Sequence, residues 1–386
     1  MAQTANRLSG IGQSVIREMT RLAIQHNAVN MGQGFPDFDS PPEMIAAAHA
    51  AIDGGFNQYA ITWGIPELRE TISRRMADWY ALSYDPDVHI SVTCGVTEAI
   101  NSAVMALVNP GEEIVIIEPF HENYAATAAF AQAKAVYVPL EPPAYALDID
   151  RIRAAFSDKT KAIILNSPHN PTGRVFTRTE LQGLADLCQE FDVVVITDEI
   201  YDHIYYDDHE HIPIATLDGM YERTMTIGGM GKTFAVTGWR LGYVCAPEPY
   251  ATAVRTVHDF TTICAPTPLQ HAANAAFNLP ASFYEQLRVD FHARRKRMME
   301  ILDRFDFVAQ TPEGAYYVMS DFSNWDFTGT DLDFARYLTT DVGISVVPGS
   351  SFYNTAGYGE SSVRWAFGKQ LSTFDEVEAR LEKVRS

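Results

Sequence analysis

The segment Val193-Val-Val-Ile-Thr197, followed directly by Asp198-Glu-Ile-Tyr201, decides the fold of this chain. A short apolar, β-branched run predicts a strand buried on both faces, and the polar residues after it mark the carboxyl end of that strand. Amphipathic segments at Thr97–Val108 and Arg178–Glu190 predict helices between such runs. The alternation predicts an α/β fold with a mostly parallel sheet covered by helices on both faces. The comparable apolar runs are Glu113–Glu118, Ala135–Leu140, Ala162–Asn166, Thr224–Ile227 and Gly242–Cys245.

The pattern changes after about Pro280, where a second, smaller α+β domain is expected. We expect residues 1–42 to form an N-terminal segment that contributes to the small domain and to the active site. Residues 43–280 would form the large domain, which binds the ligand, and residues 281–386 the small C-terminal domain. The elements that indicate the small domain are a charged helix over Ala281–Phe305, strands at Gly314–Met319 and Val363–Phe367, and helices over Asp331–Thr340 and from Thr373.

Composition narrows the classes of partner. Of the 386 residues, 29 are Lys or Arg and 49 are Asp or Glu, which gives a formal charge of −20. This charge repels phosphate backbones and anionic lipids, so neither nucleic acid nor a membrane is expected as a partner. The four cysteines are far apart, and reduced thiols in a cytoplasmic protein are expected. His209-Glu-His211 has no third ligand nearby, and no metal site is predicted.

Four polar motifs lie next to predicted strand ends, where ligands bind in α/β sheets. The motif Asp198-Glu-Ile-Tyr201 follows one predicted strand, and the motif Asn166-Ser-Pro-His-Asn170 follows another. A glycine-rich stretch from Gly228 through Lys232 to Arg240 follows a third. The turn Thr93-Cys-Gly95-Val96-Thr97 precedes the first long helix of the series. These motifs are expected to meet at one edge of the sheet.

Two nucleotide-binding patterns fail on spacing. Gly231-Lys232-Thr233 matches the end of a P-loop, but the pattern requires glycine five positions before Gly231, where Thr226 stands. Neither Gly10-Ile-Gly12 nor Gly32-Gln-Gly34 is followed by the third glycine of a dinucleotide-binding turn. A second interpretation is that Lys232 forms a Schiff base with an aldehyde cofactor, for which the neighbouring motifs supply a carboxylate, hydroxyl and amide donors, and a cation.

The chain resembles the class I/II, fold-type I, pyridoxal-phosphate aminotransferases. It is most similar to the kynurenine–oxoglutarate, glutamine–phenylpyruvate and methionine aminotransferase group. The resemblance implies a large domain with a seven-stranded sheet, and pyridoxal 5'-phosphate (PLP) as cofactor. It extends nearly from end to end, through Asn30–Phe38, Asn57–Tyr59, Glu118–Phe120, Asn166–Gly173, Thr197–Tyr201, Gly231–Phe234, Thr237–Arg240 and Val363–Arg364.

Roles for the catalytic residues follow from this resemblance. Lys232 would form the Schiff base and move a proton during the reaction. Asp198 would keep the pyridine nitrogen of the cofactor protonated, because an ion pair favours the charged form. Tyr201 and Asn170 would hydrogen-bond the phenolic oxygen of the ring.

The resemblance also assigns phosphate and substrate contacts. Arg240 and the turn of Gly95, Val96 and Thr97 would hold the phosphate at a helix N-terminus. Arg364 would bind the substrate α-carboxylate with its planar guanidinium, and Asn170 would assist it.

The resemblance assigns two further roles, one to a glycine near the substrate and one to a tyrosine at the subunit boundary. Gly34 would let the backbone come close to the substrate. Tyr59 would reach the phosphate of a neighbouring subunit, so a homodimer with shared active sites is implied. The partners would otherwise be an amino acid and a 2-oxo acid.

Several positions depart from the family pattern. Gly229 stands where a phosphate-binding serine is common. His121 stands where an aromatic ring usually stacks on the cofactor, and an imidazole there could also titrate near neutrality. By alignment, the substrate side-chain pocket contains Ile16, Ile263 and Cys264. With no second arginine identified, methionine, leucine-like and glutamine donors are expected to rank above aromatic donors, and aspartate last.

The expected activity is transfer of the α-amino group of an amino acid to a 2-oxo acid by a ping-pong mechanism. A PLP-dependent β-lyase is the alternative, since it would use the same cofactor and the same Lys232. An oxidase or a decarboxylase on this scaffold also stays open, because the fold and the cofactor do not fix the reaction.

Overall fold

The computed structural model describes residues 5–8 and 11–385. Its strands are β1 Val29–Asn30, β2 Ile90–Thr93, β3 Glu113–Glu118, β4 Lys134–Pro139, β5 Thr160–Asn166, β6 Val194–Asp198, β7 Thr224–Gly229, β8 Gly242–Cys245, β9 Val308–Ala309, β10 Tyr317–Asp321, β11 Ile344–Ser345, β12 Val347–Pro348 and β13 Ser362–Ala366. Its α-helices are α1 Val15–Gln25, α2 Pro42–Asp53, α3 Pro66–Tyr80, α4 Val96–Leu107, α5 Asn123–Phe130, α6 Ile149–Ala155, α7 Arg178–Glu190, α8 Tyr250–Thr261, α9 Thr267–Phe277, α10 Ala281–Arg304, α11 Asp331–Tyr337 and α12 Leu371–Arg385.

A seven-stranded sheet forms the centre of the larger part. Its strand order is β2-β8-β7-β6-β5-β3-β4. All neighbours run parallel except β8, which is antiparallel to both β2 and β7. The predicted α/β fold with a mostly parallel sheet is therefore confirmed, with β8 as the strand that makes the sheet mixed.

The strand that opened the sequence analysis lies in the middle of this sheet. All five residues of β6 are buried, as are all six of β3. Separate apolar clusters cover the two faces, one including helix α4 and the other including helix α7. Helix α7 begins at a capping box in which Thr177 and Glu180 bond each other's backbone N–H, which explains its sharp start. Burial on both faces is why these strands are continuously apolar.

The C-terminal elements build a second, four-stranded sheet of order β12-β13-β10-β9. Helices α10 and α12 pack against each other beside it. The N-terminal segment joins this part, since β1 pairs in parallel with β11 and α1 packs on β11 and β12. The expected domain limits, 1–42, 43–280 and 281–386, stay a prediction.

One predicted strand begins later than expected. The run from Gly314 becomes a strand only at Tyr317, because Ala315 takes a positive φ of 54° and the N–H of Gly314 bonds to the Gly173 carbonyl. Helix α11 also ends at Tyr337, and a π-helical turn at Leu338–Val342 continues it. Within residues 5–8 and 11–385, no helix is both long and apolar enough to cross a membrane.

Candidate active site

A cavity of about 460 Å³ opens at the carboxyl ends of β5, β6 and β7. Strand ends bring its polar groups together, because Asn166 at the end of β5 lies in register with Asp198 at the end of β6. The glycine-rich stretch that carries Lys232 begins where β7 ends. Most of the site residues expected from the sequence line this cavity: Gly34, Gly95, Val96, Thr97, His121, Asn170, Asp198, Tyr201, Lys232, Arg240 and Arg364.

Lys232 projects into the cavity from the loop after β7. Its Nζ donates a hydrogen bond to the Gly34 carbonyl oxygen at 2.7 Å. The same oxygen accepts a hydrogen bond from the Tyr316 hydroxyl at 3.0 Å. Residue 34 must be glycine, since a Cβ there would overlap the hydroxyl of Tyr317. The close approach predicted for Gly34 is thus an approach to Tyr317 and to the lysine amine.

Asp198 is buried at the floor of the cavity. Its Oδ2 accepts a hydrogen bond from the Tyr124 hydroxyl at 2.8 Å, and its Oδ1 accepts the N–H of Ile200 at 3.2 Å. Burial raises the pKa of Asp198 to about 6, although the Tyr124 hydrogen bond, the Ile200 N–H and the charge of Lys232 act in the opposite direction. A cation placed against this carboxylate would therefore hold it in its ionised form.

Arg364 on β13 is held rigidly in the cavity wall. Its Nη1 donates to Oδ1 of Asn170 at 3.0 Å and its Nη2 to the Gly32 carbonyl at 2.6 Å. The guanidinium lies 4.4 Å from the Tyr317 ring centroid and 4.7 Å from that of Phe352. Its Nε is buried with no hydrogen-bond partner among the described residues. A fixed, desolvated guanidinium with a spare donor suits a substrate carboxylate.

Two tyrosines face each other between Lys232 and Arg364. The Tyr201 hydroxyl donates to the Tyr317 hydroxyl at 3.0 Å. Burial raises the pKa of Tyr201 well above its ordinary value. Burial acts on Tyr317 in the same way, but the charges of Lys232 and Arg364 outweigh it and leave the pKa of Tyr317 lowered. The raised pKa keeps Tyr201 protonated, so its hydroxyl can donate a hydrogen bond beside the lysine amine, as its expected role at a phenolic oxygen requires.

The turn before α4 forms an anion-binding corner. Gly95 has a positive φ of 81°, and a Cβ on it would lie 2.7 Å from Nη2 of Arg240. The N–H groups of Val96 and Thr97 begin the helix, where the helix dipole favours negative charge. Arg240 itself is exposed, and its Nη1 bonds only to the Thr237 carbonyl among described groups. Glycine, guanidinium and helix N-terminus together fit a phosphate group.

The glycine at position 229 has a packing explanation. A Cβ there would lie 2.9 Å from Cδ1 of Ile200, and 3.0 Å from both Cγ2 of Val96 and the Leu241 carbonyl oxygen. A serine would therefore require these neighbours to move. A phosphate held at this corner without that hydroxyl would depend on Arg240 and on the helix N-terminus.

His121 lines the cavity as expected, but it does not titrate near neutrality. Burial, together with the positive charges of Lys232 and Arg364, lowers the pKa of His121 to about 3. Its Nδ1 accepts the N–H of Asn123 at 3.3 Å, which agrees with a neutral ring. The expectation of a titrating imidazole at this position is therefore wrong.

His209 and His211 lie in the loop between β6 and β7. His211 is buried, and its Nε2 lies 2.9 Å from Oε2 of Glu199. No group of three or more His, Cys, Asp or Glu side chains in the described ranges could hold a metal ion.

Three residues expected at the site lie outside the cavity of a single chain. Tyr59 is 77% exposed and Ile263 is 47% exposed. Cys264 is half-buried, and its carbonyl lies 3.9 Å from the Cys94 thiol. Of the expected side-chain pocket, only Ile16 lines the cavity.

The cavity also contains residues that the sequence analysis did not select. Tyr124, Tyr317 and Arg17 line it. Tyr124 could have been found from its place in the helix that follows His121. Tyr317 carried no signal, because it reaches the site through pairing of β10 with β13. Arg17 is an arginine in the cavity wall that the sequence analysis did not identify.

These features fit a class of enzyme in which a lysine amine binds an aldehyde cofactor that carries a phosphate and a basic ring nitrogen. The family model for aminotransferases of class I and II matches residues 26–381. The chain belongs to this family of PLP-dependent aminotransferases, and it transfers an amino group from an amino acid to a 2-oxo acid. The β-lyase alternative is not supported, because the matching family and relatives are aminotransferases.

Relatives match over nearly the whole chain. The probable N-succinyldiaminopimelate aminotransferase DapC of Mycobacterium tuberculosis is 39% identical, over 98% of each chain. Human kynurenine–oxoglutarate transaminase 1 is 35% identical, over 98% of this chain and 97% of the other. The structure of the M. tuberculosis N-succinyldiaminopimelate aminotransferase superposes with a TM-score of 0.96 at 38% identity, covering 99% and 100% of the two chains. Escherichia coli YbdL, described with a methionine aminotransferase function, gives 0.94 at 30% identity, covering 99% and 100%.

Proposed function

We propose that Lys232 is the residue that binds PLP covalently and moves the proton in transamination. The convergence of Lys232, Asp198 and Arg364 in one cavity carries this proposal. PLP, when bound, supplies an electron sink for the bond that breaks at the substrate Cα. The amine of Lys232 is positioned for proton transfer because the Gly34 carbonyl and the neighbouring tyrosines fix its orientation.

The other residues bind and orient. Asp198 would pair with the protonated ring nitrogen, and Tyr201 and Asn170 would face the phenolic oxygen. Arg364, with its unused Nε, would bind the α-carboxylate and so place the Cα near Lys232. The rings of Tyr317 and Phe352 exclude water from this guanidinium.

The phosphate would lie in the anion-binding corner. Gly95, Val96, Thr97 and Arg240 supply its contacts, and the neutral His121 would pack against the ring. With the family serine absent at position 229, Arg240 contributes more to this contact than it would beside a serine.

We further propose a homodimer with shared active sites in the cytoplasm. Tyr59 is highly exposed, with Phe260 (90%), Ile61 (48%) and Ile263 (47%) also exposed. A second copy of the chain would cover these apolar side chains and bring Tyr59 to the neighbouring phosphate. The four cysteines are free thiols, which suits a reducing compartment.

We propose that at least one of the two substrates carries a distal acidic group. Arg17 is an exposed residue of α1 at the cavity wall, and its one hydrogen bond to a side chain among the described residues is from its backbone N–H to Ser14, so its guanidinium is left available. Ile16 and Phe35 supply apolar lining beside it. A ping-pong enzyme binds donor and acceptor in the same pocket, so this lining would accept an apolar side chain and Arg17 a distal carboxylate.

The experiment that tests the reaction is a screen of amino donors with several 2-oxo acids, in which both the oxo-acid product and ammonia are assayed. Transfer is expected to give the oxo acid without free ammonia. Stoichiometric ammonia would indicate elimination or oxidative deamination, and would contradict the proposed role of the site.

A further inference from the structure

A buried ion pair lies directly behind the anion-binding corner. Nδ1 of His258 on α8 lies 2.9 Å from Oε1 of Glu98, in the first turn of α4. His258 has no exposed surface, and the Glu98 side chain is 13% exposed. Oε2 of Glu98 accepts the N–H of Cys94 at 2.6 Å, and Oε1 also accepts the Ser102 hydroxyl at 3.0 Å. The carboxylate therefore fixes the turn that precedes α4.

Hydrogen bonding requires both ring nitrogens of His258 to carry protons. Nε2 lies 2.8 Å from the Thr62 carbonyl oxygen, which can only accept. Nδ1 faces a carboxylate oxygen, so it donates as well. Burial acts to lower the pKa of His258, but the hydrogen bond and charge of Glu98, the Thr62 carbonyl and the charge of Asp259 outweigh it and raise the pKa.

The charge of this imidazolium matters to the phosphate. Glu98 lies in the same first turn of α4 as the N–H groups of Val96 and Thr97, where an unpaired carboxylate would repel a dianion. The buried pair with His258 is neutral overall. A phosphate in the anion-binding corner would therefore meet only the positive charge of Arg240 and the positive end of the α4 helix dipole.

His258 also connects this turn to two segments expected at the subunit boundary. Its Nε2 contact is to Thr62, three residues after Tyr59. Its carbonyl oxygen accepts the N–H groups of Thr262 and Ile263, at 2.9 and 3.2 Å. One buried side chain therefore contacts both Glu98, which fixes the turn Thr93–Thr97 (the phosphate turn), and the segment Tyr59–Thr62 (the Tyr59 loop).

We propose that Glu98 and His258 form a positioning pair that sets the affinity for the cofactor phosphate and holds the Tyr59 loop against the phosphate turn. The inference rests on the phosphate site proposed above. It assigns no catalytic role to either residue, because neither lines the cavity.

The test compares binding of PLP and of pyridoxal, which lacks the phosphate, to the cofactor-free full-length chain by absorbance titration. His258→Gln is expected to weaken PLP binding about tenfold and to leave pyridoxal binding within twofold, because the unpaired Glu98 charge acts only on the phosphate. Adding Glu98→Gln to His258→Gln should restore part of the lost PLP affinity. An equal loss for both aldehydes, or no recovery in the double variant, would overturn the inference.

A matched control is His211→Gln, which breaks another buried histidine–glutamate contact of 2.9 Å, away from the phosphate turn. It should leave the PLP-to-pyridoxal affinity ratio unchanged. Arg240→Gln separates the two proposals. If Arg240→Gln keeps the full preference for PLP, the proposed phosphate site itself is wrong. If it loses the preference while His258→Gln keeps it, only the positioning pair is wrong.

A pH series with Glu98→Gln keeps the inference testable if His258→Gln does not fold. The groups that face His258 are Glu98 from α4, Asp259 from α8 and the Thr62 carbonyl. In the unaltered chain, the preference for PLP over pyridoxal should fall as pH rises through the raised pKa of His258, because the carboxylate then loses its counter-charge. Glu98→Gln should remove this step. A step of the same size in Glu98→Gln would contradict the pair.

Discussion

The Tyr124 hydroxyl donates a 2.8 Å hydrogen bond to Oδ2 of Asp198 at the buried floor of the cavity. The bond favours the ionised carboxylate, which burial opposes. Tyr124→Phe should therefore raise the pKa of Asp198 further. We expect the acid limb of the kcat/KM profile to move to higher pH by about one unit, with activity lowered about tenfold below neutrality.

Tyr137→Phe is the control for that measurement. It removes a hydroxyl from β4, three strands away from β6 in the sheet. Its pH profile should match that of the unaltered enzyme. An unmoved acid limb in Tyr124→Phe would show that Tyr124 does not tune Asp198.

The buried carboxylate of Asp198 is expected to lower the free energy of unfolding at neutral pH. Its pKa of about 6 in the folded chain exceeds the ordinary value of 3.8. The folded state therefore binds the extra proton between these pH values, so stability falls as pH rises from about 4 to about 6 and stays lower above it. In the cofactor-free chain at pH 7.5, Asp198→Asn should raise the free energy of unfolding by about 1–3 kcal/mol. Urea unfolding at pH 4 should show no such gain.

The same position should control turnover. Asp198→Ala removes the proposed partner of the ring nitrogen, and kcat should fall by a factor on the order of 10² to 10⁴, equivalent to about 3–5 kcal/mol. Cofactor binding, followed by absorbance, should be partly retained. Near-normal turnover would show that another residue faces the ring nitrogen.

Borohydride reduction should fix PLP to Lys232. Mass spectrometry of peptides from the reduced, initially yellow protein should find the cofactor on Lys232, and Lys232→Ala should carry none. Lys369→Ala is the control, since it removes a different buried lysine near Phe35. Label on Lys369 or on any other lysine would contradict the assignment.

Shared active sites should allow complementation between subunits. Tyr59→Ala and Lys232→Ala chains should each be impaired alone. Mixed dimers should regain activity at one of their two sites, up to about a quarter of the normal activity in a random mixture. Full activity of a species shown to be monomeric by light scattering would refute the shared site.

Arg17 should select for a distal carboxylate. Arg17→Gln is expected to lower kcat/KM for glutamate about tenfold and to change that for methionine less than twofold, because only the charged side chain loses an ion pair. Arg21→Gln, one turn further along α1, is the matched control. Equal losses for both donors would show that Arg17 does not contact the substrate side chain.

The sequence alone determined the central sheet and the edge of that sheet at which the active-site residues meet. Continuous apolar runs such as Val193–Thr197 can be buried only as central strands, and parallel strands bring their carboxyl ends to one edge. The placement of Asp198, Asn170 and Lys232 in one cavity follows from that order. Motif spacing was sufficient to predict these positions, because each of the three residues lies in a short segment directly after a strand.

Only the tertiary structure decided the features that depend on contacts between distant segments. Tyr124 reaches Asp198, and Tyr317 reaches Tyr201, across strands and helices that no local pattern relates. The charge state of His121 was misjudged because burial and three nearby cations, which come from other elements, lower its pKa. Arg17 likewise became part of the site only when α1 packed over the cavity. Pattern fixes which faces are buried, whereas packing fixes which polar groups meet there.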